Sequence, residues 1–205
     1  MAVRCREEAE TTFGAHFDAL ADMVTESVQL YYDFYGERAH THESWTRCSI
    51  IRDEIKERLI AFAEATKGFQ VLREGNATFF GVSSKFTVRI KKLFDNLHAN
   101  TGKTQYSLDF DHQVPVQVEL FGDELELTHL YLGYVATEND PLNPPIYLVC
   151  NDEAGQVEWS IHLNPTSPPP PVTLEPPVPI APAPDTEPRR VRVKREATER
   201  KAGNE

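Results

Sequence analysis

No run of 18 apolar residues occurs anywhere in the 205-residue sequence, which excludes a membrane-spanning helix. The opening stretch MAVRCREEAETTF contains no apolar signal core, so a cytoplasmic rather than a secreted protein is expected. Cysteine is scarce: Cys5, Cys48 and Cys150 are scattered and cannot complete a disulfide set, a pattern suited to a reducing compartment. The common catalytic signatures are missing as well. There is no H-E-x-x-H pair, no G-x-S-x-G elbow, and no G-x-G-x-x-G or Walker-type loop, so the metalloprotease, α/β-hydrolase and nucleotide-cradling motifs are all absent. Gly75, Gly81 and Gly102 stand alone.

Positive charge is also short. The chain has 21 Lys and Arg against 32 Asp and Glu, a net charge of −11. Residues 165–205 hold seven basic and six acidic side chains, or +1, so the first 164 residues carry −12. Such a body repels phosphate backbones and is not expected to be a general nucleic-acid binder. A local basic patch is the exception to look for.

What is present divides the chain in three. Eleven of the fifteen prolines fall between Pro165 and Pro188. Proline lacks an amide donor and fixes φ, so this stretch reads as an extended linker over 164–188. RRVRVKREATERKAGNE follows as a basic, disordered tail over 189–205. Residues 1–163 remain as a single globular domain, with 40% hydrophobic residues in the chain as a whole.

The domain reads as α+β: an N-terminal antiparallel helix pair packed on a mostly antiparallel β-sheet. Phe13, Phe17, Leu20, Val24, Val28, Tyr31 and Tyr35 recur every three or four residues, one face of a helix of about seven turns. Gly36 is its expected stop. Trp45, Cys48, Ile51, Ile55, Leu59 and Phe62 form the same stripe in a second helix, capped by Thr41 or Ser44 and ended by Gly68. The short link GERAHTH makes the two neighbours antiparallel. Near-heptad spacing also allows a homodimer through these stripes, although burial against the sheet is the plainer reading.

Beyond Gly68 the period changes. FQVLRE and ATFFGVS flank Gly75-Asn76, a hairpin turn. SSKFTVRIKKLFDNLHANTG fits two periods: Phe86, Val88 and Ile90 alternate as in a strand, whereas Phe86, Ile90, Leu93 and Leu97 step as in a helix. Ser84 as cap and Gly102 as stop favour a helix over 84–98, against the β-branched Thr87 and Val88. VPVQVELF and ELELTHLYLGYV then flank Gly122-Asp123, and PPIYLVCN and QVEWSIHL flank DEAG. In the last strand Val157, Trp159, Ile161 and Leu163 are expected on one face. The expected order is α-α-β-β-α-β-β-β-β.

His40-x-His42 with Cys48 matches no closed zinc pattern, and a solvated loop is the plainer account. Asp109-x-Asp111 with Glu119, followed by Asp123, Glu124 and Glu126, offers acids for two-metal hydrolysis, provided that Asp109 and Asp111 share a strand face. Glu124 and Glu126, however, alternate with leucines as the outer face of an ordinary strand. Cys150 in an apolar strand reads as an inert thiol, and His129 as a hydrogen-bonded structural histidine. No catalytic residue, metal or cofactor is therefore assigned, and a metal-dependent, nuclease-like hydrolase built on Asp109, Asp111 and Glu119 stays as the alternative.

Binding residues are easier to nominate. Lys85, Arg89 and Lys92, with Lys91 beside them, would share one face of the third helix as an anion or partner contact. Arg189, Arg190, Arg192, Lys194 and Arg195 form a tethered basic segment for a protein partner or a nucleic acid.

The succession GFQVLREGNATFF, VRIKKLFDNLHANTGKTQ, DHQ, LYLGYV and IYLVCNDEAGQVEWSIHL resembles a bacterial family of small proteins from mobile-element operons. Those operons also carry helix-turn-helix regulators fused to zinc-peptidase-like domains. The likeness spans about residues 10–163 and omits the tail. Its motifs, a GY in one strand and a W in the last, are structural and carry no catalytic residue across. The resemblance implies a toxin–antitoxin or phage-defence module, with this chain as the partner protein or as the toxic member.

Overall fold

Residues 3–74, 77–99, 104–115 and 127–165 are described by a computed structural model, and all belong to one unit of the chain. The Gly75-Asn76 and Gly122-Asp123 turns, Gly102, Glu119, Glu124, Glu126, most of the 164–188 linker and the 189–205 tail lie outside the described residues.

The chain is α+β. Helix α1 (Arg6–Phe13) passes through a 3-10 turn at Gly14–His16 into α2 (Phe17–Tyr35). The single long first helix expected from the stripe is thus broken where Gly14, a poor helix former, follows Phe13. The break accompanies full burial of Phe13, whose ring meets Phe69 and Phe86 at 6.2 and 5.4 Å. Gly36 does not end the run in a left-handed cap; its φ is −50° and the chain continues as a 3-10 turn over Gly36–Thr41. Helix α3 (Ser44–Ala65) follows, with Glu43 rather than Thr41 or Ser44 at its N-cap. Gly68, at φ +92°, turns the chain into the sheet.

Cross-helix contacts fall between His16 and Phe62, Glu26 and Arg58, and Tyr31 and His42, so α2 and α3 run in opposite senses. Leu20, Val24 and Val28 of α2 and Ile51, Ile55 and Leu59 of α3 are buried in the chain's own core. The ends of the two stripes depart from that pattern: Tyr35 is 40% and Trp45 69% exposed.

Six strands follow among the described residues: β1 (Phe69–Glu74), β2 (Ala77–Val82), β3 (Phe86–Leu93), β4 (Thr128–Val135), β5 (Ile146–Asn151) and β6 (Val157–His162). They are ordered β1-β2-β3-β4-β5-β6 in one sheet, antiparallel except for the parallel β3–β4 pair. A short helix, α4 (Gln105–Asp111), lies in the β3–β4 connection. No helix among the described residues is long and apolar enough to cross a membrane.

The expected helix over 84–98 is a strand. Ser83 and Ser84 adopt left-handed φ values of 53° and 52° and turn the chain between β2 and β3 rather than capping a helix. Phe86, Val88 and Ile90 then alternate onto the helix-covered face. All eight β3 residues pair in parallel with β4, from Phe86 with Thr128 to Leu93 with Val135. Gly133 makes that pairing possible: a Cβ there would lie 2.5 Å from Leu93 Cγ and 2.6 Å from the Lys91 carbonyl. The β5–β6 hairpin forms where expected, around the Asp152–Gly155 turn. Its register shifts at Cys150/Asn151, so Val157 packs on the opposite face from Trp159, Ile161 and Leu163.

Both faces of the sheet are covered, and every residue of β4 is buried. One face packs on α1–α3; the other gathers Leu72, Phe79, Leu93, Tyr131, Tyr147 and Val149 with Phe110 of α4.

Candidate functional site

Helix α4 positions the polar groups of the second face. Thr104 caps it, accepting from the Ser107 amide at 3.3 Å, and it runs into Asp111-His112-Gln113. Each of these three ties the helix to the sheet. Asp111 accepts a hydrogen bond from the Tyr131 hydroxyl on β4. His112 Nδ1 lies 2.9 Å from the Glu153 carbonyl; a carbonyl only accepts, so this nitrogen donates. Gln113 Nε2 donates to the carbonyls of His129 at 3.0 Å and Asn151 at 2.9 Å, and its Oε1 accepts from the His129 amide at 2.8 Å. The side-chain amide therefore extends the β4–β5 ladder one step beyond the Leu130–Cys150 pair. Gln113 holds φ at +58°, which costs a residue with a Cβ about 1 kcal/mol. Glycine would avoid that cost but could not supply the amide.

The groups that most often do chemistry are held away from it. Burial pushes the Cys150 thiol up to about 12, with Glu158 and Asp152 adding to the effect. Burial pulls His129 down to about 4, against a raising hydrogen bond to the Phe110 carbonyl; the ring is neutral at physiological pH and stacks on Phe110 at 4.4 Å. The Tyr131 phenol is driven well above its usual range by burial and by its bond to Asp111, so it stays a proton donor. The proposed acid pair is not assembled. Asp109 and Asp111 lie on a helix, not on one strand face, and two residues along a helix is roughly 200° of rotation. Asp109 accepts from Gln105 at 2.6 Å while Asp111 faces Tyr131. Among the described residues no cluster of three His, Cys, Asp or Glu side chains could hold a metal ion. His42 bonds the Tyr31 hydroxyl at 2.8 Å instead.

The basic residues do converge, though not on a helix. Strand β2 pairs with β3 only from Phe80–Val88 to Val82–Phe86, and its first residues bond β1 alone. Beyond Val88 the two strands part. The gap opens a recess of about 320 Å³ lined by Arg52 and Lys56 of α3, Thr78 of β2, and Arg89 and Lys91 of β3. A second recess, of about 440 Å³, shares Arg52 and Lys91 with the first and adds Trp45 and Lys92. A third, of about 380 Å³, shares Lys92 and Tyr134 with the second and adds Arg47 and Tyr32. Their shared lining residues join them into a groove along α3 and the outer edge of β3, where Arg89 and Lys91 come from the α4-covered face of the strand and Lys92 from the α3-covered face. Six cations and three carboxylates (Glu43, Asp53 and Glu138) line it.

Part of that positive charge is buried beside aromatic rings, with Tyr131 and Asp111 near it. The Arg89 guanidinium lies 5.7–5.8 Å from the ring centres of Phe79, Tyr106 and Phe110, and its Nη1 is buried with no hydrogen-bond partner among the described residues. Lys91 is pulled down to about 8, first by burial and then by the Arg89 and Arg52 charges, against the Asp111 carboxylate, which raises it. Asp53 contacts Arg52 at 3.1 Å and Lys56 at 3.4 Å.

Of the nominated binding residues, Arg89 and Lys92 reach the groove, on successive recesses rather than one helix face. Lys85 does not; it pairs with Glu8 at 2.9 Å. Arg189, Arg190, Arg192, Lys194 and Arg195 lie outside the described residues. Arg52, Lys56 and Trp45 were missed, because they come from a helix some forty residues away from β3. No family model, no curated protein and no solved structure matches this chain.

Proposed function

We propose that this chain is a non-enzymatic, cytoplasmic interaction protein that holds an acidic macromolecular partner in the α3–β3 groove. The observation that carries this reading is the gathering of six cations around one groove on a body of net charge −12. Acidic surroundings confine an anion to the groove, and the field of neighbouring cations is strongest in a recess walled by low-dielectric protein. Burial holds Cys150, His129 and Tyr131 away from working pH, so these three lend no support to catalysis, and Lys91, at about 8, serves in this reading as an anion contact. The basic segment Arg189–Arg195 adds a second contact for the same partner. The resemblance noted in the sequence makes a bacterial toxin–antitoxin or phage-defence locus the setting, with this chain as the binding component. The hydrolase alternative gains no support from the placement of Asp109 and Asp111.

Retention of the full-length protein on an immobilised polyanion such as heparin tests the reading. The wild type is expected to be retained at low salt. Reversing two groove charges, Arg52→Glu with Lys91→Glu, is expected to shift elution to clearly lower salt with the far-ultraviolet dichroism unchanged. A wild type that is not retained, or a folded double variant eluting with it, overturns the assignment of the groove.

A further inference from the structure

The groove carries more than charge, and what it carries narrows the class of partner. Trp45 lines the middle recess and is 69% exposed. Its indole Nε1 donates to Glu43 at 2.9 Å, which fixes the ring while leaving its face open. Tyr32 and Tyr134 line the next recess, where the Tyr134 hydroxyl is buried beside the Cys48 thiol. Ser44, 3.4 Å from the Lys92 ammonium, adds a hydroxyl to the recess that Trp45 lines.

We infer that the groove binds a single strand of nucleic acid, its phosphates on Arg52, Lys91 and Lys92 and a base stacked on Trp45. This rests on the reading of the groove as an anion-binding site. Cations beside an open aromatic face are what a single strand needs, because every phosphate is followed by a base with a π-face. A peptide of acidic residues alone would use the cations but has no π-face or apolar side chain to set on the exposed indole. A duplex has its bases stacked internally, and its second backbone would be pressed against the acidic body. From Ser44 to Lys56 the α3 wall is about 18 Å long at 1.5 Å per residue, room for a few nucleotides.

The test uses the full-length chain and three fluorescently labelled probes of equal length: oligo(dT), the matching duplex, and a poly-glutamate peptide. Anisotropy titrations are expected to rank oligo(dT) above the other two. The salt slope for oligo(dT) should be close to −0.7 for each phosphate held. Trp45→Ala should weaken oligo(dT) roughly ten-fold and leave the slope unchanged, as loss of one stacking platform does. Lys91→Gln should instead lower the slope by about 0.7. A second full-length form, with the five basic residues between Arg189 and Arg195 changed to Gln, is expected to keep both effects. If poly-glutamate binds as well as oligo(dT) and Trp45→Ala is silent, the anion site stands and the nucleic-acid assignment falls. If oligo(dT) binding disappears with the five tail changes, the groove is not its site. Failure of all three probes to bind removes both.

Discussion

The two faces of the sheet are built from different materials. The face under α1–α3 is closed by Phe13, Val24, Ile51, Ile55, Leu59, Phe86 and their neighbours, all buried. The opposite face embeds Thr87, Arg89, His129, Asn151 and Gln113 among its apolar side chains. Nine buried side-chain polar atoms lack a partner among the described residues, and Thr87, Arg89, His129, Asn151 and His162 put five of them on this second face. Apolar burial stabilises by area and asks for no geometry. A buried polar group stabilises only when its bonds are made, and costs energy otherwise. Stability should therefore come mainly from the first face, and sensitivity to pH and to small polar changes from the second.

The largest effect should be on the helix-covered face. Phe86 is fully buried, meets the Phe13 ring, and starts the β3–β4 ladder. Phe86→Ala is expected to cost about 3–5 kcal/mol, the transfer loss plus the cavity left behind. A urea unfolding midpoint that falls with an unchanged slope would show it. A smaller loss than that from a polar substitution on the other face would break the comparison.

The next effect is a pH dependence centred on the second face. An unfolded histidine titrates near 6.5, whereas folded His129 is held down to about 4 by burial. Between these values the unfolded chain binds a proton that the folded chain does not, so stability falls as the pH falls. Its full contribution is present above about 6.5 and is lost on acidification through about 4. The loss is on the order of 3 kcal/mol, at 1.36 kcal/mol per unit. Denaturant midpoints between pH 7 and pH 4, for wild type and for His129→Phe, separate this component from that of the carboxylates. A slope identical in the two proteins would mean that His129 is not held neutral.

The same contrast explains what could be read in advance. The helix-covered face was legible because Leu20, Val24, Val28 and Ile51, Ile55, Leu59 repeat with one period and are buried for that reason. The β5–β6 hairpin was legible from alternation around DEAG, but the shift at Cys150/Asn151 that moves Val157 across the sheet left no mark in the pattern. Residues 84–98 were misread because Phe86, Ile90 and Leu93 satisfy both periods; the eight-residue parallel ladder with β4, a tertiary contact, decides for the strand. Thr87 and Val88 carried the correct local signal and were outweighed by Ser84 and Gly102. The groove was half legible: Arg89 and Lys92 stood out as charge on an acidic body, but the gap between β2 and β3 and the facing Arg52, Lys56 and Trp45 arise only on folding.

Gln113 gives the sharpest test of the polar face, because conformation and hydrogen bonding there oppose each other. Its backbone at φ +58° favours Asn or Gly over Gln. Its side chain makes three bonds that stitch His129 to Asn151. Gln113→Asn suits the backbone better but is one methylene too short to keep those bonds. If backbone preference dominated, the variant would be more stable than wild type. If the stitch dominates, as the 2% exposure of this residue requires, it loses about 1–3 kcal/mol through unsatisfied buried groups. Amide exchange at His129 should speed up together with the fall in the urea midpoint. Gln113→Gly, which removes the strain entirely, should be no better than Gln113→Asn, since the cost lies in the ladder groups left unpaired rather than in the turn.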